Sequence, residues 1–186
     1  MNVPNVLLRY LVPIISRVHQ LRQALSTPLP ASAIPGEIKR PAAIIIAPTH
    51  ELVDQIAKAA VKLARGTDVR VSVVSGNLDS KQQRQQLNRG CDLLVASRGR
   101  ALQMMDDGAI SLENTETLCF DEADVLLQGE GPEQLSCMIA LCPPTVQVLM
   151  FSATFHPSRR RIALEQHLPE DAGKYFELAQ FSQRPF

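Results

Sequence analysis

The residues best suited to chemistry sit in one short stretch, CFDEADVLL at 119–127, where Asp121, Glu122 and Asp124 follow an apolar run. A carboxylate at the carboxyl end of a buried strand can hold magnesium through water, because magnesium takes oxygen ligands and keeps much of its hydration shell. A second carboxylate beside it can orient a water for attack on a phosphoryl group. A plain strand-to-helix turn, with acids that only cap the next helix, accounts for the same residues without chemistry. Other polar clusters end apolar runs in the same way: SAT at 152–154, 28 residues beyond Asp124, APTHEL at 47–52 and ASRGR at 96–100.

Those clusters need strands behind them. The run AAIIIA at 42–47 is continuously apolar, the mark of a strand covered on both faces. Further strands are predicted at 69–75, 92–96, 117–121 and 147–152. Helices are predicted between them: one after Thr49, which can cap it, then 80–89 ending at Gly90, a short one to about 105, 132–141 and 157–167. Residues 6–25 carry apolar side chains at helical spacing, with Pro13 expected to bend or break the helix. Residues 26–41 hold four prolines and a glycine and read as a Pro-rich surface loop. Strands alternating with helices imply an α/β fold, a parallel sheet with helices on both faces. In such a sheet ligands bind beyond the carboxyl ends of the strands, where Asp121 and Ser152 fall.

Composition narrows the classes. A chain of 186 residues with 45% apolar content can bury one domain's core, and 19 basic against 19 acidic residues argue against gripping nucleic acid by bulk charge. Local backbone contacts stay open. Arginine outnumbers lysine fourteen to five, and Arg159-Arg160-Arg161 suits a solvated helix face as well as a phosphate contact. The four cysteines lack CxxC spacing; Cys91 and Cys119 read as small core residues, which suits a reducing, intracellular compartment. Scattered histidines offer no metal cluster, and no run approaches the roughly 18–20 apolar residues of a membrane span. The first 36 residues carry Arg9, Arg17 and Arg22 but no acid, a pattern shared by transit peptides and by buried helices.

Taken together, in this order and spacing, APTHEL, ASRGR, DEAD and SAT resemble the first RecA-like domain of the DEAD-box RNA helicases, a P-loop NTPase-type fold, over nearly the whole chain, 1–186. The resemblance implies that Asp121 coordinates the magnesium of ATP through water and that Glu122 activates the hydrolytic water. It implies that Asp124 bonds with Ser152 and Thr154, linking nucleotide state to domain closure. Pro48, Thr49, Gly76, Gly99 and Arg100 match motifs that meet RNA phosphates, consistent with sequence-independent binding.

Departures from the family pattern shape the expectation. His50 stands where the family usually has arginine, Asn77 replaces the second glycine of a pair, and Arg98 replaces a proline, which predicts weakened or reshaped RNA contact. No GxxxxGK[ST] occurs in the sequence; alignment on RYLVPIISRV at 9–18 puts Val6 at the lysine and Leu7 at the threonine position. The recognisable domain is thus an incomplete RecA-like one, and the second RecA-like domain is not in this sequence. ATP and magnesium are expected not to bind this chain alone. Whether the polypeptide is an enzyme is open: a partial ATP-dependent helicase core is one reading, and a degenerate pseudo-helicase serving as scaffold or RNA-associated assembly partner is the other. Loss of the phosphate-loop strand predicts a bare sheet edge at Gln147–Ser152, inviting a protein partner. The acid-free start then reads as the helix that follows the phosphate loop.

Overall fold

The run at 42–47 forms β1 (Ala43–Ala47), buried at every position. It lies at the centre of a sheet with β3 (Leu93–Ser97) on one side and β4 (Thr117–Phe120) on the other. Outside these lie β2 (Val71–Val74), β5 (Gln147–Ser152) and the three-residue β6 (Leu178–Gln180), in the order β2-β3-β1-β4-β5-β6, every pair parallel. The computed structural model describes residues 5–24, 37–77, 79–152 and 178–180. Thr154 and the expected helix at 157–167 lie outside these.

Strand side chains alternate between two cores. Ala43, Ile45, Ala47, Leu93, Val95, Cys119, Leu149 and Phe151 face one layer, made by α1 (Asn5–Ala24) and α2 (His50–Leu63). Ile44, Ile46, Leu94, Ala96, Leu118, Phe120, Val148 and Met150 face the other. That second layer is built from α3 (Ser80–Asn88), α4 (Arg98–Asp106), α5 (Ala123–Leu126) and α6 (Gly131–Ala140). The fold is therefore the expected parallel α/β sheet with helices on both faces. Cys91 and Cys119 are free and buried, as core packing predicts.

Three features differ from the expectation. The helix at the start runs through Pro13 without ending, because Val12, Pro13, Ser16 and Arg17 face solvent while Leu11, Ile14, Ile15 and Val18 face the core. Burial of that stripe outweighs one lost backbone bond on the wet side. The single turn α5 was not foreseen. The bare edge at Gln147–Ser152 is corrected: β6 pairs with its second half, Met150 with Leu178, Phe151 with Ala179 and Ser152 with Gln180. Only the first half of β5 lacks a neighbour on that side among the described residues.

A buried ion cluster ties the α1 layer to the sheet. Asp92, 8% exposed at its side chain, accepts from Arg22 Nη1 at 2.5 Å and from Arg70 Nε and Nη2 at 3.0 Å each. Its Oδ2 also accepts from the Arg70 backbone N–H at 2.7 Å. Gly90, at φ +102°, leaves room for the Arg70 guanidinium, which a Cβ would meet at 2.0 Å.

Candidate functional site

Strand parity places the acidic tetrapeptide. Cys119 faces α1 and Phe120 faces the opposite layer, so the next residue, Asp121, turns back toward α1. Its backbone N–H extends the ladder to Ile46 O at 2.9 Å. Asp121 is 7% exposed, and both carboxylate oxygens take donors from the chain: Oδ2 from Tyr10 Oη at 2.7 Å, Oδ1 from the Glu122 N–H at 3.0 Å. Burial pushes the Asp121 carboxyl above the usual carboxylate range, against the pull of those two bonds. Burial beside Asp121 likewise drives the Tyr10 phenol far above its ordinary value. Tyr10 is held from behind by the Phe151 ring, centroids 4.9 Å apart.

Glu122 follows in the left-handed region, at φ +50° and ψ +49°, a conformation uncommon for a non-glycine residue. This turn reverses the chain into α5 and leaves the Glu122 side chain exposed. Its carboxyl is raised by partial burial and then by the neighbouring Asp121 and Asp124. Asp124, in the first turn of α5, accepts from Ser152 Oγ at 2.6 Å. Ser152 shares the parity of Val148 and Met150, so this bond lies on the layer opposite Tyr10.

A separate groove of about 430 Å³ opens beyond the ends of β1, β2 and β3. It is lined by Pro48, His50, Gly76, Gly99, Arg98 and Arg100, with Ser97, Gln103 and α5 residues Val125 and Leu126 completing it. Four of the five residues matched to RNA motifs thus share one cavity. The fifth, Thr49, caps α2: its Oγ1 accepts from the Leu52 N–H at 3.2 Å. Arg98 donates to the Leu126 carbonyl at 2.7 Å, joining α4 to the end of α5, and Arg100 donates to Gln103 at 2.8 Å. His50 Nδ1 lies 2.7 Å from Ser75 Oγ.

Sequence reasoning missed Tyr10, Ser75 and Gln83. Tyr10 was legible, since it falls three residues after Leu7 and four before Ile14 on the buried stripe, where a phenol needs a partner. Gln83 lies in a polar helix and gave no signal; its buried amide clamps the Ser75 backbone at both N–H and C=O.

Leu7, at the position matched to the metal-binding threonine, is 4% exposed in the core and has no hydroxyl. The sequence contains no phosphate-cradling GxxxxGK[ST]. Among the described residues no group of three or more His, Cys, Asp and Glu could hold a metal ion by itself, and no helix is long and apolar enough to cross a membrane.

Residues 8–162 match the DEAD/DEAH box helicase family. The chain is 42% identical over 145 residues to the ATP-dependent RNA helicase RhlB of Pseudomonas syringae pv. tomato, covering 76% of this chain and 35% of that protein. It also resembles the crystal structure of the yeast DEAD-box splicing factor Prp28, with a TM-score of 0.70 and 27% identity, over 90% of this chain and 38% of the other. The chain thus spans little more than a third of the length of either relative.

Proposed function

The chain belongs to the DEAD/DEAH box helicase family, and from that premise we propose that it serves as the RNA-backbone-binding part of an RNA-remodelling core and does not hydrolyse ATP by itself. The observation that supports this most is the groove. It gathers Arg98, Arg100 and His50 with two glycines, and no carboxylate lines it among the described residues. Glycines let a phosphate approach the backbone closely, and arginine offers a planar fork of donors. Such a surface suits phosphates and sugars rather than base edges, so binding is sequence-independent.

The acidic end couples to this groove through α5. Asp124 is bonded to the tip of β5, and Val125 and Leu126, the next residues, form the groove wall to which Arg98 is tied. On the nucleotide side Asp121 offers one carboxylate for a hydrated metal. Magnesium, when present, would neutralise phosphate charge there, but nothing in this sequence matches the cradle that positions a triphosphate.

The test is binding of a labelled oligouridine by this chain. Arg100→Ala is expected to weaken it roughly 5-fold and to lower the salt slope by about 0.7. Magnesium-dependent binding of an ATP analogue in the micromolar range is expected to be absent. Clear analogue binding that Asp121→Ala abolishes refutes the proposed nucleotide deficiency.

A further inference from the structure

His50 stands in the groove where its relatives' pattern would set a permanent cation, and its surroundings are organised around the ring. The buried side chain of Gln83 on α3 accepts from the Ser75 N–H at 2.9 Å and donates to the Ser75 carbonyl at 3.0 Å. Ser75 is 0% exposed and Gln83 2% exposed, so the Ser75 backbone is clamped in the core and its hydroxyl projects from a fixed Cα. That hydroxyl meets His50 Nδ1 at 2.7 Å. With Nδ1 anchored, the opposite side of the ring lies over Gly76, where an added Cβ would come within 3.0 Å of Cε1 and 3.4 Å of Nε2. Gly76 lines the same groove, so the ring's free edge is presented to whatever lies there.

From this geometry we infer that His50 is a proton-dependent phosphate ligand, and that this chain takes up a proton on binding the phosphodiester backbone of RNA. A hydroxyl both donates and accepts, so Ser75 can pair with Nδ1 in either ring state. In the neutral ring Ser75 donates to Nδ1 and Nε2–H remains one uncharged donor. In the imidazolium Nδ1–H donates to Ser75 Oγ and Nε2–H becomes a charge-assisted donor, which binds an anion more strongly. Histidine is the side chain that changes charge between about pH 5 and 8.

The charged groups around the ring allow the effect. Arg98 and Arg100 of α4 line the groove with it, the Ser75–Gly76 turn brings no charge, and on α2 itself Glu51 is adjacent with Asp54 one turn further. A phosphate placed among Arg98, Arg100 and His50 favours the protonated ring, and by linkage the protonated ring favours the phosphate. Affinity therefore falls as pH rises, with no carboxylate lining the groove among the described residues to impose the opposite trend.

The inference rests on the proposed RNA groove, and one titration separates the two. Binding of a labelled oligouridine, whose bases stay uncharged in this range, is measured at about pH 6 and pH 8 over a salt series. The wild-type chain is expected to bind roughly 5-fold more weakly at the higher pH, the order of a charge-assisted over a neutral hydrogen bond, with a salt slope shallower by about 0.7. His50→Gln is expected to bind at both pH values as the wild type does at the higher one, and His50→Arg to bind tightly at both. Wild-type binding that does not change with pH, or a dependence retained in His50→Gln, overturns the inference and leaves the groove standing. No binding by any variant, His50→Arg included, overturns the groove itself.

Discussion

Tyr10→Phe isolates a single hydroxyl. The ring stays against Phe151, at a centroid distance of 4.9 Å in the native chain, so packing is preserved. What is lost is the 2.7 Å bond to Asp121 Oδ2, in a site where Asp121 is 7% exposed and water replaces the donor poorly. Hydrogen bonds to charged groups contribute about 1.5–3 kcal/mol, so a loss of about 2 kcal/mol is expected at neutral pH. For a domain of this size that lowers Tm by about 4–8 °C. The pH dependence has a definite sign. The folded-state pKa of Asp121 is already raised by burial, so its contribution is most favourable at low pH and is lost as pH climbs through that value. Removing Tyr10 takes away a bond that holds the value down and raises it further. The deficit of the variant should therefore be largest near pH 7 and narrow toward about pH 4, as acidification adds a proton to Asp121 in both proteins. Circular-dichroism melts of both chains at the two pH values measure this, and Asp121→Asn with and without Tyr10→Phe gives the coupling. A Tm unchanged at pH 7, or a deficit that grows on acidification, refutes the assignment of that bond.

Removing Asp92 should cost more than any surface ion pair. Asp92→Ala leaves Arg22 and Arg70, 17% and 29% exposed, without their acid, and about 3 kcal/mol of stability is expected to disappear in urea unfolding; a loss under about 1 kcal/mol would contradict the cluster's role. Thr49→Ala removes the α2 cap and is expected to cost about 1 kcal/mol, with Thr49→Ser recovering most of it in the same assay; equal stability of all three proteins would show that the cap contributes nothing.

What could be read in the sequence was what a repeating pattern writes. The strands stood out because a parallel sheet covered on both faces makes continuous apolar runs, and β5 was bounded at 147–152 by that alone. Thr49 as cap and Gly90 as helix stop were local chemistry and equally visible. Four residues of α5 carry too little periodicity to see, and their start depends on Glu122 taking a left-handed conformation that its residue type does not announce. For β6 the same limit applies, as three residues give no run, and so the edge of β5 was misjudged. At the site, motif order drew attention to Asp121, Asp124 and the groove residues, whereas Gln83 acts through a buried amide that only the tertiary structure brings to Ser75.

The turn that follows β4 has a consequence for how this molecule can change. With the left-handed turn at Glu122 between them, Asp121 answers to Tyr10 on one face of the sheet and Asp124 to Ser152 on the other. Substitutions in α1 can therefore retune one acid while the other keeps its partner, and the reverse holds for the tip of β5. Two acids three residues apart thus draw their partners from opposite layers, so loss of one bond leaves the other in place.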